Sequence, residues 1–139
     1  MSLSDYLLKE LRPIAELPTL REWVAEVRSR PLCVAGADIV AAPDLIDYEV
    51  ASAVRELALR GEIRAARGAR ALDDLAQTLI FRFAGTPLLR RIWEIRANVD
   101  AFDAAYVALA ERLQLPLITT DRRLGRSRSH RAEIIAYSR

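Results

Sequence analysis

Apolar and polar residues recur along the chain at two spacings, one typical of helices and one typical of short buried strands. Between residues 44 and 60, apolar side chains return every three or four positions, which predicts a helix with one buried face, and Gly61 follows as a C-terminal stop. The same spacing predicts helices over residues 3–11, 19–28, 64–76 and 86–98, the last with Thr86 as its cap and Pro87 at its first position. A further helix carries Phe102, Tyr106, Leu109 and Leu113 along one face. Short apolar runs predict strands over residues 38–42, 78–83, 116–120 and 132–137.

These strand-like and helix-like segments alternate, and this order predicts an α/β domain. Strands that are short and apolar throughout are typical of a parallel sheet covered by helices on both faces. We therefore predict an α/β/α sandwich with a mainly parallel sheet. The length of 139 residues suits a single domain over residues 1–139, in which residues 1–30 form N-terminal helices. Residues 122–131 are polar and basic, and a loop is predicted there.

Composition narrows the class of protein only broadly. Apolar residues make up 52% of the chain and charged residues 29%, which is typical of a folded globular protein. We expect no membrane span and no signal peptide, because no apolar run approaches eighteen residues and the N-terminus lacks a basic start followed by an apolar stretch. The single cysteine, Cys33, fits the reducing cytoplasm. The net charge of +2 does not by itself indicate nucleic acid as a partner.

Three acidic residues are expected at one edge of the predicted sheet. In right-handed strand–helix–strand units, the start of each helix and the end of the next strand lie at the carboxyl edge. Glu49 and Asp103 lie in the first turns of two such helices, and Asp121 directly follows a strand. Open α/β sheets bind ligands at this edge. Three converging carboxylates repel one another unless a cation lies between them, and oxygen ligands favour Mg²⁺ or Mn²⁺.

Each acid also has a purely structural interpretation. Asp103 would stabilise a helix N-terminus through the helix dipole. Asp121 would be a turn residue after a strand. Glu49, at the border of the apolar face of its helix, would extend to solvent. Chain topology alone leaves the structural interpretation and the metal-site interpretation both open.

Three segments carry a resemblance to a known family. They are DLIDYEV at 44–50, FDAAYVALA at 102–110 and LITTDRRL at 117–124. Together they resemble the PIN domain, and more narrowly the VapC toxins of bacterial type II toxin–antitoxin pairs, over roughly residues 38–137. The resemblance implies an α/β/α sandwich, often homodimeric, with Mg²⁺- or Mn²⁺-dependent endoribonuclease activity and an antitoxin as partner.

The resemblance also implies roles for individual residues. Glu49, Asp103 and Asp121 match the second, third and fourth acidic positions of the family, which would make them catalytic and metal-binding. Thr119 and Thr120 match the hydroxyl-bearing positions before the last aspartate. The metal would activate water for attack on an RNA phosphodiester. The positions of the following arginines suggest contacts with RNA phosphates, although a solvated basic loop is the alternative; they are Arg122, Arg123 and Arg126, with Arg128 and Arg131 further on.

One motif of the family has no evident counterpart here. The family begins with an apolar strand that ends in an aspartate, whereas residues 1–8 resemble the helix that normally follows that strand. Two explanations remain open: the start of the chain is truncated or misassigned, or the chain is a degenerate member. The leading hypothesis is a metal-dependent endoribonuclease toxin. The alternative is a non-catalytic PIN-like module that binds an antitoxin and has lost nuclease activity with the first aspartate.

Overall fold

Four short strands and five α-helices make up the part of the chain that the structure describes. The structure is a computed structural model, and it describes residues 40–119 and 122–136. The predicted helices over residues 3–11 and 19–28, and the predicted strand residues 38, 39, 120 and 137, lie outside these ranges. In chain order the elements are β1 (Ala41–Pro43), α1 (Ile46–Leu59), α2 (Ala65–Gln77), β2 (Phe81–Phe83), a 3₁₀ helix (Thr86–Leu88), α3 (Leu89–Glu94), α4 (Ala101–Leu113), β3 (Leu117–Thr119), α5 (Arg122–Arg126) and β4 (Ile134–Ala136).

The described strands form two parallel pairs. β1 pairs with β2, with Ala41 opposite Phe81, and β3 pairs with β4, with Leu117 opposite Ile134. Parallel neighbours need a crossover, and here helices supply it: α1 and α2 connect β1 to β2, and α5 connects β3 to β4. The predicted α/β fold with parallel strands is confirmed.

Two local predictions were wrong. Thr86 was expected to cap a long helix over residues 86–98, but it is the first residue of the 3₁₀ turn, and only six residues of that segment form α3. The loop predicted for residues 122–131 begins instead with α5. Its Leu124 is only 8% exposed and packs in the core, and this tertiary contact outweighs the polar composition of the segment.

The core has two main clusters, and α4 lies between the strands that they cover. The first cluster joins β1, α1 and α2 to the start of β2; its buried members are Ala42, Val50, Ala53, Val54, Ala71, Leu75 and Ile80. The second cluster joins α4 to the β3–β4 pair; its buried members are Ile95, Val99, Ala104, Val107 and Leu124. Helix α4 contacts both β1 and β3. The position of α4 therefore depends on both clusters.

An ion pair ties the connection between α5 and β4 to the helices. The Arg91 guanidinium on α3 donates to both carboxylate oxygens of Glu111 on α4, from Nε at 2.7 Å and from Nη2 at 2.9 Å. The backbone N–H of Arg131 also donates to Glu111, at 2.7 Å, and Arg91 donates to the carbonyl oxygen of Ser129 at 3.3 Å. The Glu111 side chain is 13% exposed, so water screens this ion pair only weakly.

We expect Glu111→Gln to lower the free energy of unfolding at pH 7 by about 1–3 kcal/mol, since it weakens charge-assisted hydrogen bonds. The bond from Arg91, followed by the bond from the Arg131 backbone, holds the pKa of Glu111 below its ordinary value of 4.5, against an opposing effect of burial. The stabilisation is therefore present above pH 4.5 and is lost as the pH falls through the lower folded-state pKa. Urea denaturation at pH 7 and at pH 3 measures both effects.

Glu94→Gln is the matched control for this prediction. Glu94 also accepts from Arg91, at 3.1 Å, but its side chain is 50% exposed and lies only three residues away on the same helix. Such pairs contribute about 0.2–0.5 kcal/mol. Equal losses in the two variants, or a Glu111→Gln loss that does not shrink at low pH, would contradict the role given to Glu111.

Candidate active site

Glu49 lies in the first turn of α1, three residues after the start of that helix at Ile46. Strand β1 ends at Pro43, so this turn is at the carboxyl end of β1. Val50, the next residue, is 2% exposed and fixes the rotation of the helix against the first core cluster. Glu49 is consequently half-buried, and its Oε1 atom is shielded from solvent. This carboxylate oxygen of Glu49 therefore does not reach solvent.

Asp103 lies in the first turn of α4, but it is not the residue that caps this helix. The cap is Asp100, whose Oδ1 accepts the backbone N–H of Asp103 at 2.9 Å. The Asp103 carboxylate is thus not required for capping and stands half-buried at the end of the helix. Its negative charge still lies near the positive end of the helix dipole, which is a favourable interaction.

Tyr106 is the residue whose hydroxyl is affected by both Glu49 and Asp103. It lies one turn after Asp103 on α4, packs against the first core cluster and has its hydroxyl oxygen shielded from solvent. Burial raises the pKa of this hydroxyl well above its ordinary value, and the charges of Glu49 and then of Asp103 raise it further. Both acids therefore lie close enough to act on one phenol, which stays protonated and is able to donate a hydrogen bond to a carboxylate.

A third acid near Tyr106, Asp47, already has a cationic partner. Arg82 on β2 donates from Nε to Oδ1 of Asp47 at 2.9 Å and to Oδ2 at 2.8 Å. The same guanidinium donates to the carbonyl oxygens of Ile80 and Leu75, which orients it. Arg82 thereby neutralises Asp47 and links α1 to the end of α2 and to β2. Asp47 accordingly raises the pKa of Tyr106 less than Glu49 and Asp103 do.

Of the remaining predicted site residues, those that the structure describes lie around the carboxyl end of β3. Thr119, the last residue of β3, is half-buried, and Arg123 and Arg126 on α5 are exposed. Arg122 begins α5. Asp121 and Thr120 lie outside the described residues. Because α4 runs into β3 through a tight turn at Gln114, β3 returns toward the end of the molecule where α4 begins.

The described part of the chain contains no group of three or more acidic, histidine or cysteine side chains arranged to hold a metal ion. It supplies two carboxylates of the predicted set, Glu49 and Asp103, and Asp121 would have to be the third. The candidate metal ligands are carboxylate oxygens, and they lie next to a phenol that stays protonated. This chemistry fits Mg²⁺ or Mn²⁺, which prefer oxygen ligands and retain several waters.

Sequence reasoning missed two contributions to this edge. It placed Tyr106 on the apolar face of its helix and did not identify its hydroxyl as the group that faces the acids. It did not find the Asp47–Arg82 pair, whose members are separated by 35 positions in sequence. A charged residue within the predicted strand 78–83 was the available signal, since a buried-strand arginine needs a carboxylate or carbonyl partner.

A family comparison decides what kind of domain carries this site. The PIN domain model matches residues 15–128 of the chain. This chain belongs to the PIN domain family. The resemblance noted in the sequence is thereby confirmed, and the parallel strands and flanking helices of the structure are those of a PIN-like α/β/α fold.

Sequence relatives of this PIN domain are named VapC ribonucleases. VapC ribonuclease Mb0985 of Mycobacterium bovis is 49% identical over 83 residues, which are 60% of this chain and 65% of that protein. Ribonuclease VapC1 of Mycobacterium tuberculosis is 42% identical over 85 residues, 60% of this chain and 64% of that protein. Ribonuclease VapC12 of the same organism is 37% identical over 97 residues, 70% and 75% of the two chains. The PIN domain thus spans just under two thirds of the length of the first two relatives.

Among the described residues of this PIN domain, no helix is both long enough and apolar enough to cross a membrane.

Proposed function

We propose that this PIN domain is a Mg²⁺- or Mn²⁺-dependent endoribonuclease and acts as the toxin of a toxin–antitoxin pair. The observation that carries the proposal is the placement of Glu49 and Asp103 in the first turns of two helices, around the buried hydroxyl of Tyr106. The names of its VapC relatives, which are ribonucleases, support the same activity. Under this proposal Glu49, Asp103 and Asp121 are the metal-binding and catalytic residues.

In this mechanism the chain supplies charge and position. A bound Mg²⁺ or Mn²⁺ would lower the pKa of a water molecule and offset charge on the phosphodiester. Glu49, Asp103 and Asp121 would hold the metal ion. Thr119 and Thr120 would support Asp121. Tyr106, kept protonated by burial and by the neighbouring acids, would donate to the Glu49 carboxylate and hold it in one orientation. Arg82 keeps Asp47 out of the set by pairing with it.

The arginines that follow β3 would position RNA. Arg123 and Arg126 are exposed on α5, which begins next to the carboxyl end of β3, and Arg122 begins the same helix. Guanidinium groups bind phosphates in a bidentate manner and set the register of a nucleic acid without reading its sequence. We also propose an antitoxin protein as partner, a homodimer as the assembled form and the cytoplasm as the location, on the ground of the family resemblance.

The proposal predicts RNA cleavage that depends entirely on a divalent metal ion. The purified chain should cut a 5′-labelled single-stranded RNA in about 5 mM Mg²⁺ or Mn²⁺. This concentration is on the order of magnitude at which weak oxygen-ligand sites become occupied. EDTA should stop the reaction, and added Mn²⁺ should restore it, because carboxylates alone cannot activate the attacking water. A single-stranded DNA of the same sequence is the control for substrate class. Cleavage that survives EDTA would contradict the proposal.

Calorimetric titration with Mn²⁺ separates this function from the non-catalytic alternative. A nuclease takes up the metal with a defined stoichiometry, and uptake releases protons from its ligands where these are protonated. A module that only binds an antitoxin would neither take up Mn²⁺ nor cut RNA. That pair of results would replace the proposed activity with the alternative.

A further inference from the structure

Two exposed aromatic residues are the immediate sequence neighbours of the acids of the candidate site. Tyr48 precedes Glu49 in the first turn of α1 and is 79% exposed. Phe102 precedes Asp103 in the first turn of α4 and is 64% exposed. Each ring therefore belongs to the residue directly before a site acid, and both rings are exposed at the ends of α1 and α4 that carry these acids.

The exposure of Phe102 runs against the pattern of its own helix. Phe102 belongs to the face of α4 that also carries Ala105 and Leu109, three and seven residues later. Ala105 is 3% exposed and Leu109 is 4% exposed. The packed face of α4 therefore leaves its largest apolar side chain uncovered only at the end of the helix where Asp103 lies. Packing of the described core does not account for a phenylalanine there.

Tyr48 has no packing role in the described core either. It lies two residues before Val50, which is a rotation of about 200° around the helix and so nearly opposite the buried face. The buried residues of α1 are Val50, Ala53, Val54 and Leu57. Its phenol ring is presented to solvent from the outer side of α1, next to Glu49.

We propose that Phe102 and Tyr48 are stacking platforms for the bases of single-stranded RNA on either side of the phosphate that is cut. This inference rests on the proposed ribonuclease function and names how its substrate is held. Unpaired bases stack on aromatic side chains, and each base has a face that allows this whatever its identity. A phosphodiester bound at Glu49 and Asp103 would have its two flanking bases on the side of the residues that directly precede these acids.

A nucleic acid fits these two rings better than an apolar protein surface does. The rings belong to separate helices, and an acid of the candidate site follows each of them directly in sequence. Exposed Arg123 and Arg126 on α5 add cationic groups near the end of β3. Aromatic rings together with cationic side chains are the combination with which proteins bind single-stranded nucleic acids.

The test compares Phe102→Leu with Phe102→Trp in the full chain. Leucine retains apolar area without a ring, whereas tryptophan retains a stacking face. The probe is a fluorescein-labelled twelve-nucleotide single-stranded RNA of mixed sequence, and its Kd is measured by fluorescence anisotropy in Ca²⁺, which takes oxygen ligands in flexible geometry. We expect Phe102→Leu to raise the Kd about tenfold and Phe102→Trp to leave it within about twofold of the unsubstituted protein. Tyr48→Leu should behave as Phe102→Leu does.

Leu59→Ala is the matched control, because Leu59 is 69% exposed at the other end of α1, about 16 Å from Tyr48 along the helix. Its Kd should not change. The stacking proposal would be overturned by an unchanged Kd in Phe102→Leu. It would also be overturned if Phe102→Trp or Leu59→Ala lost as much RNA affinity as Phe102→Leu. It would likewise fail if the Phe102→Leu protein bound RNA normally but changed its oligomeric state, since the ring would then serve a protein contact.

Cleavage assays in Mg²⁺ keep this inference separate from the proposed function. If the unsubstituted protein cuts RNA and Phe102→Leu does so with the same KM, stacking fails and the nuclease assignment stands. If the protein binds RNA with the expected dependence on the rings but cuts nothing in Mg²⁺ or Mn²⁺, the nuclease assignment fails and the stacking result holds for binding. For Phe102→Leu we expect KM for RNA cleavage to rise about tenfold while kcat stays nearly unchanged.

Discussion

Asp103→Asn should reduce the rate of RNA cleavage by more than about a hundredfold while leaving the fold intact. Substitutions in the groups that merely support a metal ligand cost 10–100-fold, so loss of a ligand's charge should cost more than about 100-fold. Asparagine has the size of aspartate and leaves the Asp100 cap of α4 in place, because that cap accepts the backbone N–H of residue 103. The measurement is single-turnover cleavage of labelled RNA at saturating Mg²⁺, with circular dichroism to verify folding.

Asp100→Asn is the control that tests charge at the same helix end. It also removes one negative charge from the N-terminal end of α4, but asparagine caps helices about as well as aspartate does. We expect its cleavage rate to stay within about threefold of the unsubstituted protein, as befits a residue that caps and does not bind metal. Full activity in Asp103→Asn would show that the metal is held elsewhere. Equal losses in both variants would mean that the general negative potential at this edge matters, and not a ligand.

Topology explains why the position of two acids could be predicted from the sequence. Strand, helix and strand follow one another with short connections, and the handedness of such units leaves one edge for helix starts and strand ends. Glu49 and Asp103 lie in first turns, as this argument requires, and both are near Tyr106. The ends of α1 and α2 agree with the predicted helices to within two residues, because apolar periodicity in each continues over several turns.

Contacts between distant parts of the chain set the limit of that reasoning. The Asp47–Arg82 pair joins the first helix to the second strand, and no local pattern couples two positions 35 residues apart. Helix α5 forms in a segment with a loop-like composition because Leu124 is buried among residues from α4 and the β3–β4 pair. The Thr86 cap was a local rule applied correctly to a segment whose 3₁₀ geometry is fixed by neighbouring helices: Leu88 is 3% exposed and packs with Ala108 and Leu109 of α4.

The two core clusters make stability and activity separable properties of this fold. Tyr106 packs in the first cluster, whereas Ala104 and Val107 of the same helix pack in the second. The start of α4, with Asp103, is therefore held from two sides. A substitution in the second cluster should lower the free energy of unfolding without altering the charge or the ligands of the site, which is the opposite of the effect expected from Asp103→Asn.

Ile95→Ala should lower the free energy of unfolding by about 2–5 kcal/mol, the range measured for large-to-small substitutions in cores. Ile95 is 2% exposed, and it packs in the second cluster with Val99, Val107 and Leu124. Its truncation removes buried apolar area and leaves a cavity between α4 and the β3–β4 pair, and the surrounding elements relax only partly. Urea denaturation followed by circular dichroism measures the change, with Ile95→Val as a graded variant that should cost about 0.5–1.5 kcal/mol.

Leu89→Ala is the exposed counterpart, since Leu89 begins α3 and is 58% exposed. Its cost should stay within about 0.5 kcal/mol. A loss below about 1 kcal/mol in Ile95→Ala would mean that the second cluster repacks and does not fix α4. Because Ile95 packs in the second cluster, whereas Tyr106 packs in the first, the folded fraction of Ile95→Ala should cut RNA at the normal rate at low temperature. Its activity should fall only as the temperature approaches its lowered midpoint, whereas Asp103→Asn should be inactive at every temperature.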